Sequence, residues 1–271
     1  MQAGTNWRPT RIERINTILS SSTKPLLAVT DLGTAVVKYM GNKAGLDVLV
    51  TELIAAELAN RIGLKTPDFA VVEIPSITTT DPFVTIEAGP AFFSRWEQAY
   101  SLSPNSKLLA DIRRLHDIAR LVTFDTWIRN KDRFAGDANG GIVNYDNILF
   151  KADKRKTQLL VIDHSHAFAE TTLEDEISDL WATEKSVYGL FNEFVPMLTR
   201  RDIESALHAI CAVEINDIED ICLSTPPQWG FTTTLAKRLA GLLAERAKLM
   251  NEWLPDAIFA QMELDLHGKE A

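Results

Sequence analysis

Cysteine is almost missing from this chain. Cys211 and Cys222 are the only two in 271 residues, and neither a CxxC pair nor a nearby pair of histidines accompanies them. That excludes a disulfide-stapled framework, offers no zinc-ligand spacing, and makes a reducing cytoplasm the expected address. Long apolar runs are missing as well: no stretch approaches the roughly 18 uninterrupted apolar residues of a membrane helix. Residues 1–11 carry Trp7, Arg8 and Pro9 but no apolar run, so no targeting segment is expected there. Positive charge is scarce, with 28 basic against 37 acidic residues and a net charge of -9. A surface of that sign disfavours wholesale binding of nucleic acid or anionic lipid and leaves room only for a local basic pocket. Repeats and low-complexity tracts are lacking too. What remains is 46% hydrophobic with 13 Gly and 11 Pro, an ordinary globular composition, long enough for one large domain or two packed lobes.

Periodicity locates the elements. Residues 25–40, PLLAVTDLGTAVVKYM, give two β-rich runs joined at Asp31-Leu32-Gly33-Thr34, a hairpin signal. Upstream, Ile12, Ile15, Ile18 and Leu19 fit a strand or a helical stripe almost equally, with strand the favoured reading. Between them Ser20-Ser21-Ser22-Thr23-Lys24-Pro25 is a polar turn. A helix is predicted over 44–62, stopped by Gly63, and a strand over 69–74. Residues 75–90 are dense in Thr, Pro and Gly around a short candidate strand at 83–87 and read as a connector. From residue 105 onward helical patterns dominate, interrupted by an Asn- and Gly-rich stretch at 130–147 and a hairpin-like pair at 148–151 and 158–162. The expected fold class is α+β in two lobes: a β-rich part with one long helix, 1–88, and a larger, mostly helical part, 89–271.

The residues that point to chemistry lie in Asn130-Lys131-Asp132-Arg133, Asp146-Asn147-Ile148-Leu149-Phe150 and Ile162-Asp163-His164-Ser165. Phosphoryl transfer needs such a set: a carboxylate to orient an attacking hydroxyl, and a carboxamide with a second carboxylate to hold Mg²⁺ against phosphates. Each alone reads equally as a turn former, since Asp, Asn and Gly favour loops for backbone reasons. Upstream, strand alternation puts Lys38 on the face of Val36 and Met40, where an ammonium needs an anionic partner or an escape to water. Glu52, on a helix face of small residues, is the candidate partner; two unconnected surface charges, or an edge-strand lysine guarding against aggregation, are the alternatives. Glu57 with Arg61, and Asp125 with Arg129, read as intrahelical ion pairs. A Ser-His-Asp hydrolase built from Asp163, His164, Ser165 and His166 is a poor reading, because sequence neighbours rarely face one another and no GxSxG elbow is present.

The order Lys38, Glu52, Asp132, Asn147, Asp163 resembles the protein-kinase-like fold, most closely the HipA-like kinase family and more distantly the phosphatidylinositol kinases. Val-Val-Lys at 36–38, TELIAAELA at 51–59, FDTWIRNKDR at 124–133, NILF at 147–150 and IDHSHAF at 162–168 carry the likeness, with Pro226-Pro227-Gln228-Trp229 before a terminal helix. The resemblance implies a two-lobed kinase binding ATP between its lobes, with Lys38 on phosphate, Glu52 orienting it, Asp132 as catalytic base, and Asn147 and Asp163 on Mg²⁺. It makes the connector at 83–93, with Gly89-Pro90-Ala91-Phe92-Phe93, the hinge, and places Phe92 beside adenine. The loop of Ser20, Ser21, Ser22 and Lys24 is similar to that family's short substitute for a glycine-rich loop, where a serine can be a phosphorylation target.

Three departures stand out. The insertion 136–146 separates Asp132 from Asn147, so Asp137, Asn139 or Asn144 are alternative oxygen ligands; Asp-His-Ser replaces Asp-Phe-Gly; and no Ala-Pro-Glu motif follows. The expected activity is transfer of the γ-phosphoryl of ATP to a protein Ser or Thr hydroxyl, with an antitoxin-like regulatory partner among the implied contacts. A catalytically silent nucleotide-binding module, and a kinase acting on a lipid or small-molecule hydroxyl, are the rival readings.

Overall fold

The computed structural model describes residues 3–79, 81, 84–103, 106–134 and 143–267. Its first part is a five-stranded antiparallel sheet built from β1 (Ile12–Ile18), β2 (Leu26–Thr30), β3 (Gly33–Lys38), β4 (Phe69–Ile74) and β5 (Gly89–Arg95), in the order β1-β2-β3-β5-β4. The β2–β3 hairpin turns at Asp31 and Leu32, with Thr30 facing Gly33. Gly33 has φ +105, a left-handed value that glycine adopts at no steric cost. The Thr30 hydroxyl closes the turn, accepting from the Leu32 N–H at 3.1 Å and donating to the Gly33 carbonyl at 2.7 Å.

Strand alternation gives this sheet two apolar faces. Ala28, Ala35, Val37, Ala70, Val72, Ala91 and Phe93 form a small core on one face under Trp7. Phe69 and Phe92, stacked at 5.8 Å, face the other way into the main core. There they meet α1 (Asp47–Arg61), most of whose residues are buried. The helix starts at Asp47 and not at residue 44, because Gly45 has φ +87 and the Asn42 side chain holds the Ala44 N–H at 2.8 Å in a turn. It stops as expected: Gly63 has φ +81, and Leu64 returns its N–H to the Ala59 carbonyl at 2.9 Å. Glu57 and Arg61 do not pair with each other. Glu57 accepts from the Gly4 N–H and Arg61 reaches Asp217, since tertiary neighbours lie nearer than the next helical turn.

Since β5 lies between β3 and β4, the first sheet runs past residue 88 to Arg95. The segment 89–93, expected as hinge, is therefore strand, and the chain leaves the sheet at Trp96, whose N–H bonds the Thr34 carbonyl at 2.8 Å. Of the short strand expected at 83–87, the described part contributes one bridge, Ile86 to Ile77, and Phe83 lies outside the described residues.

The second part holds a three-stranded sheet, β6 (Ala99–Ser101), β7 (Ile148–Asp153) and β8 (Lys156–Val161), and the helices α2 (His116–Trp127), α3 (Leu173–Glu176), α4 (Arg200–Cys211), α5 (Ile215–Leu223) and α6 (Thr233–His267). Helix α6 packs on α2, α4 and α5. The indole N–H of Trp127 donates to the Leu243 carbonyl at 2.8 Å inside this core. Another indole, Trp229, donates to the Pro90 carbonyl at 2.9 Å and pins the helical part to the start of β5. Among the described residues no helix is long and apolar enough to cross a membrane.

Candidate active site

A cleft of about 560 Å³ opens between the five-stranded sheet and the helical part. Lys38, Glu52, Asp132, Asn147 and Asp163 all line it, so residues far apart in the sequence meet on one cavity. Phe92, Ser21 and Ser22 line it too. Ser20 does not, and Lys24 faces a second, smaller cavity where its ammonium lies 3.2 Å from Asp81. The turn around Lys24, itself at φ +40, aims that side chain away from the cleft. Trp96 and Glu97, following β5, line the cleft as well as Phe92. Of the alternative ligands, Asn144 lines the cleft, and Asp137 and Asn139 lie outside the described residues.

Lys38 ends β3, a middle strand of its sheet, which removes the edge-guard reading. Its ammonium pairs with Glu52 Oε1 and lies 2.9 Å from Asp163 Oδ1 and 2.6 Å from Ser165 Oγ. Burial alone would lower its pKa, but the charges of Glu52 and Asp163 outweigh that and hold it above the ordinary lysine value. At Asp163 burial pulls upward, and Lys38 and the Ser165 hydroxyl together hold the carboxylate well below its usual range. Both groups are charged at neutral pH. Glu52 is 4% exposed and also accepts the His164 backbone N–H at 3.0 Å, which ties α1 to the turn after β8. Asp163 has φ +56, a conformation uncommon outside Gly, Asn and Asp, and its side chain keeps an edge open to the cleft. Burial holds the next residue, His164, in its neutral form, packed edge-on against Phe124 at 5.9 Å.

In the same cleft Asn147 donates through Nδ2 to Asp132 Oδ2 at 2.9 Å, and Asn144 does so at 3.4 Å. Asn147 directly precedes β7 and Asp163 stands two residues past the end of β8, and the pairing of Ile148 with Val161 brings both ends together. With its nitrogen committed to Asp132, the Asn147 amide presents its oxygen. Amide oxygen and carboxylate form the hard donor set that suits Mg²⁺. Among the described residues no group of three His, Cys, Asp or Glu side chains is arranged to hold a metal, so a cation here would draw its further ligands from phosphate and water, as Mg²⁺ does.

Beneath these residues lies a buried pair that sequence reading missed. Asp125 does not pair with Arg129, which instead reaches Glu184 across the fold. Its Oδ2 accepts from Arg133 Nε at 2.6 Å and its Oδ1 from Asn130 Nδ2 at 3.0 Å. Arg133, fully buried, also donates to the carbonyls of Asn147 and Ile162, and so joins the loop of Asp132 to Asn147 and to the residue before Asp163. The available signal was a carboxylate inside an apolar helix, Val122-Thr123-Phe124-Asp125-Thr126-Trp127, where no face is left for solvent.

A family model described as HipA-like kinase matches residues 12–258. Among solved structures, the proinflammatory kinase CtkA of Helicobacter pylori is similar in fold at a TM-score of 0.56 and 15% identity, covering 93% of this chain and 96% of that one. No curated protein matches the sequence. The observed architecture is consistent with a two-lobed kinase-like fold.

Proposed function

Since the chain belongs to the HipA-like kinase family, whose members are phosphotransferases, we propose that it moves the γ-phosphoryl of ATP to a Ser or Thr hydroxyl of a protein, with Mg²⁺. One observation carries the reading: the Lys38–Glu52–Asp163 cluster and the Asp132–Asn147 pair line a single cleft. The adenine lies against Phe92 and the strand-end residues near Trp96. Lys38, kept in place by Glu52, binds phosphate oxygens, and the Ser21–Ser22 turn covers them. Asp132, whose Oδ2 is held by Asn147 and Asn144, presents Oδ1 to the acceptor hydroxyl and takes its proton as the oxygen attacks in line. Asn147 and Asp163 are the residues that would hold Mg²⁺, which when bound supplies charge neutralisation between the phosphates. The remaining acceleration comes from positioning: Arg133 and Glu52 fix the loops that carry these groups before substrate arrives.

Incubation with γ-labelled ATP, Mg²⁺ and lysate proteins tests this. Label in acid-stable serine or threonine phosphate is the expected result, with Asp132→Asn lowering transfer at least about 10²-fold, the scale of a lost general base, and Asp163→Asn abolishing the Mg²⁺-dependent transfer. Undiminished transfer by Asp163→Asn would overturn the assignment. Nucleotide binding without transfer would make the chain a silent module, and label confined to lipid or a small molecule would move the acceptor.

A further inference from the structure

At position 165 this chain has a hydroxyl in the middle of the charged cluster. Ser165 Oγ lies 2.6 Å from Lys38 Nζ, 2.6 Å from Asp163 Oδ1 and 3.0 Å from Glu52 Oε1, and the residue is 8% exposed. A hydroxyl has one proton and two lone pairs. The ammonium, a donor only, occupies a lone pair. The proton goes to one carboxylate, and the shorter contact assigns it to Asp163. Glu52 Oε1 keeps Lys38 and the His164 N–H as its own donors. The Thr51 hydroxyl lies 3.2 Å from the Ser165 carbonyl and nearer, at 3.0 Å, to that of Val48, and the adjoining His164 N–H, bonded to Glu52 at 3.0 Å, fastens this backbone to α1.

We propose that Ser165 is a positioning residue that holds the Asp163 carboxylate for metal binding. Resting on the phosphotransferase reading above, the argument follows from what changes when nucleotide enters. Lys38 must turn toward phosphate, and Asp163 Oδ1 then loses its ammonium partner. The Ser165 hydroxyl stays, because its backbone is tied to α1 and not to the ligand. It keeps Oδ1 occupied and leaves the other oxygen directed at the cleft. Without the hydroxyl nothing holds Oδ1 once the ammonium has turned away, and the carboxylate must be ordered at the expense of cation binding. The position of α1 is thereby transmitted to the metal-binding carboxylate through one side chain as well as through the Lys38–Glu52 pair.

Ser165→Ala and Ser165→Gly, compared with the unaltered chain, test this by titrating Mg²⁺ at saturating ATP, read both as rate and as the Mg²⁺-dependent rise in melting temperature, and ATP at saturating Mg²⁺. Both variants are expected to need about tenfold more Mg²⁺ for half-maximal rate, the effect of losing one hydrogen bond to a charged group. At saturating Mg²⁺ kcat should return to within about threefold, since only ground-state positioning is lost. A purely structural role would lower the melting temperature and leave the Mg²⁺ midpoint in place; that result, or a midpoint unchanged within about twofold in both variants, overturns the proposal. If the unaltered chain transfers no phosphate, it is the phosphotransferase reading that has failed, and the two failures are separate.

Discussion

A guanidinium sealed in a protein interior is costly unless its charge and all its donors are met. Arg133 meets that condition through Asp125 and the carbonyls of Asn147 and Ile162, and in doing so it fixes the two loops that face the cleft. Removing it leaves Asp125 buried without a counter-charge, so Arg133→Met should cost about 3–5 kcal/mol of stability. Denaturant unfolding reads this directly. The same pair has a pH signature. Burial pushes Asp125 up to about 6 against the opposing charge of Arg133 and the hydrogen bond from Asn130. The native carboxyl then keeps its proton up to about pH 6, whereas the unfolded one, at the ordinary aspartate value of 3.8, has already released it. The native state binds more protons in that window, so this residue's contribution to stability falls as pH rises from about 4 to about 6. Asp125→Asn should flatten that part of the melting-temperature profile. An unchanged slope would show that another group supplies it.

Elements place these residues, and glycines set where the elements can turn. Gly189 has φ +70, and a Cβ built there meets Asp125 Oδ2 at 2.4 Å, while its N–H bonds the Phe134 carbonyl at 2.9 Å. The loop preceding α4 is therefore pressed against the floor of the site by a residue that has no side chain to spare. Gly189→Ala combines left-handed strain with a clash on the Asp125–Arg133 pair, and should destabilise by on the order of 1–3 kcal/mol. Gly45, also left-handed, has open space around its Cβ position, so Gly45→Ala carries the backbone cost alone and should be the milder of the two. Thermal melts of both variants decide between a backbone effect and a contact effect. The β7–β8 hairpin works at the same scale: its register sets Asn147 and Asp163 side by side, and a slip of one residue would turn Leu159 and Val161 out of the core.

For the whole molecule the cleft is the seam between the sheet and the helices, bridged by Lys38 to Asp163 and by Trp229 to Pro90. A ligand held by both sides stabilises the joined state by mass action, about 2.7 kcal/mol at a hundredfold excess over Kd. ATP with Mg²⁺ should raise the melting temperature, and Asp163→Asn should abolish the Mg²⁺-dependent part of that rise while keeping the fold. The sequence alone determined the strand at 69–74, the hairpins, the stop at Gly63 and the order of charged residues along the chain. Those depend on pleat, helical period and turn stereochemistry, which act over a few neighbours. The tertiary structure decided the partners. Arg129 and Arg61 pass over carboxylates one turn away for Glu184 and Asp217, β5 enters between β3 and β4 instead of following β4 at the edge, and Asp125 finds Arg133 in the core. Which charges meet depends on how distant elements pack and on which groups burial deprives of water, and a linear spacing holds neither.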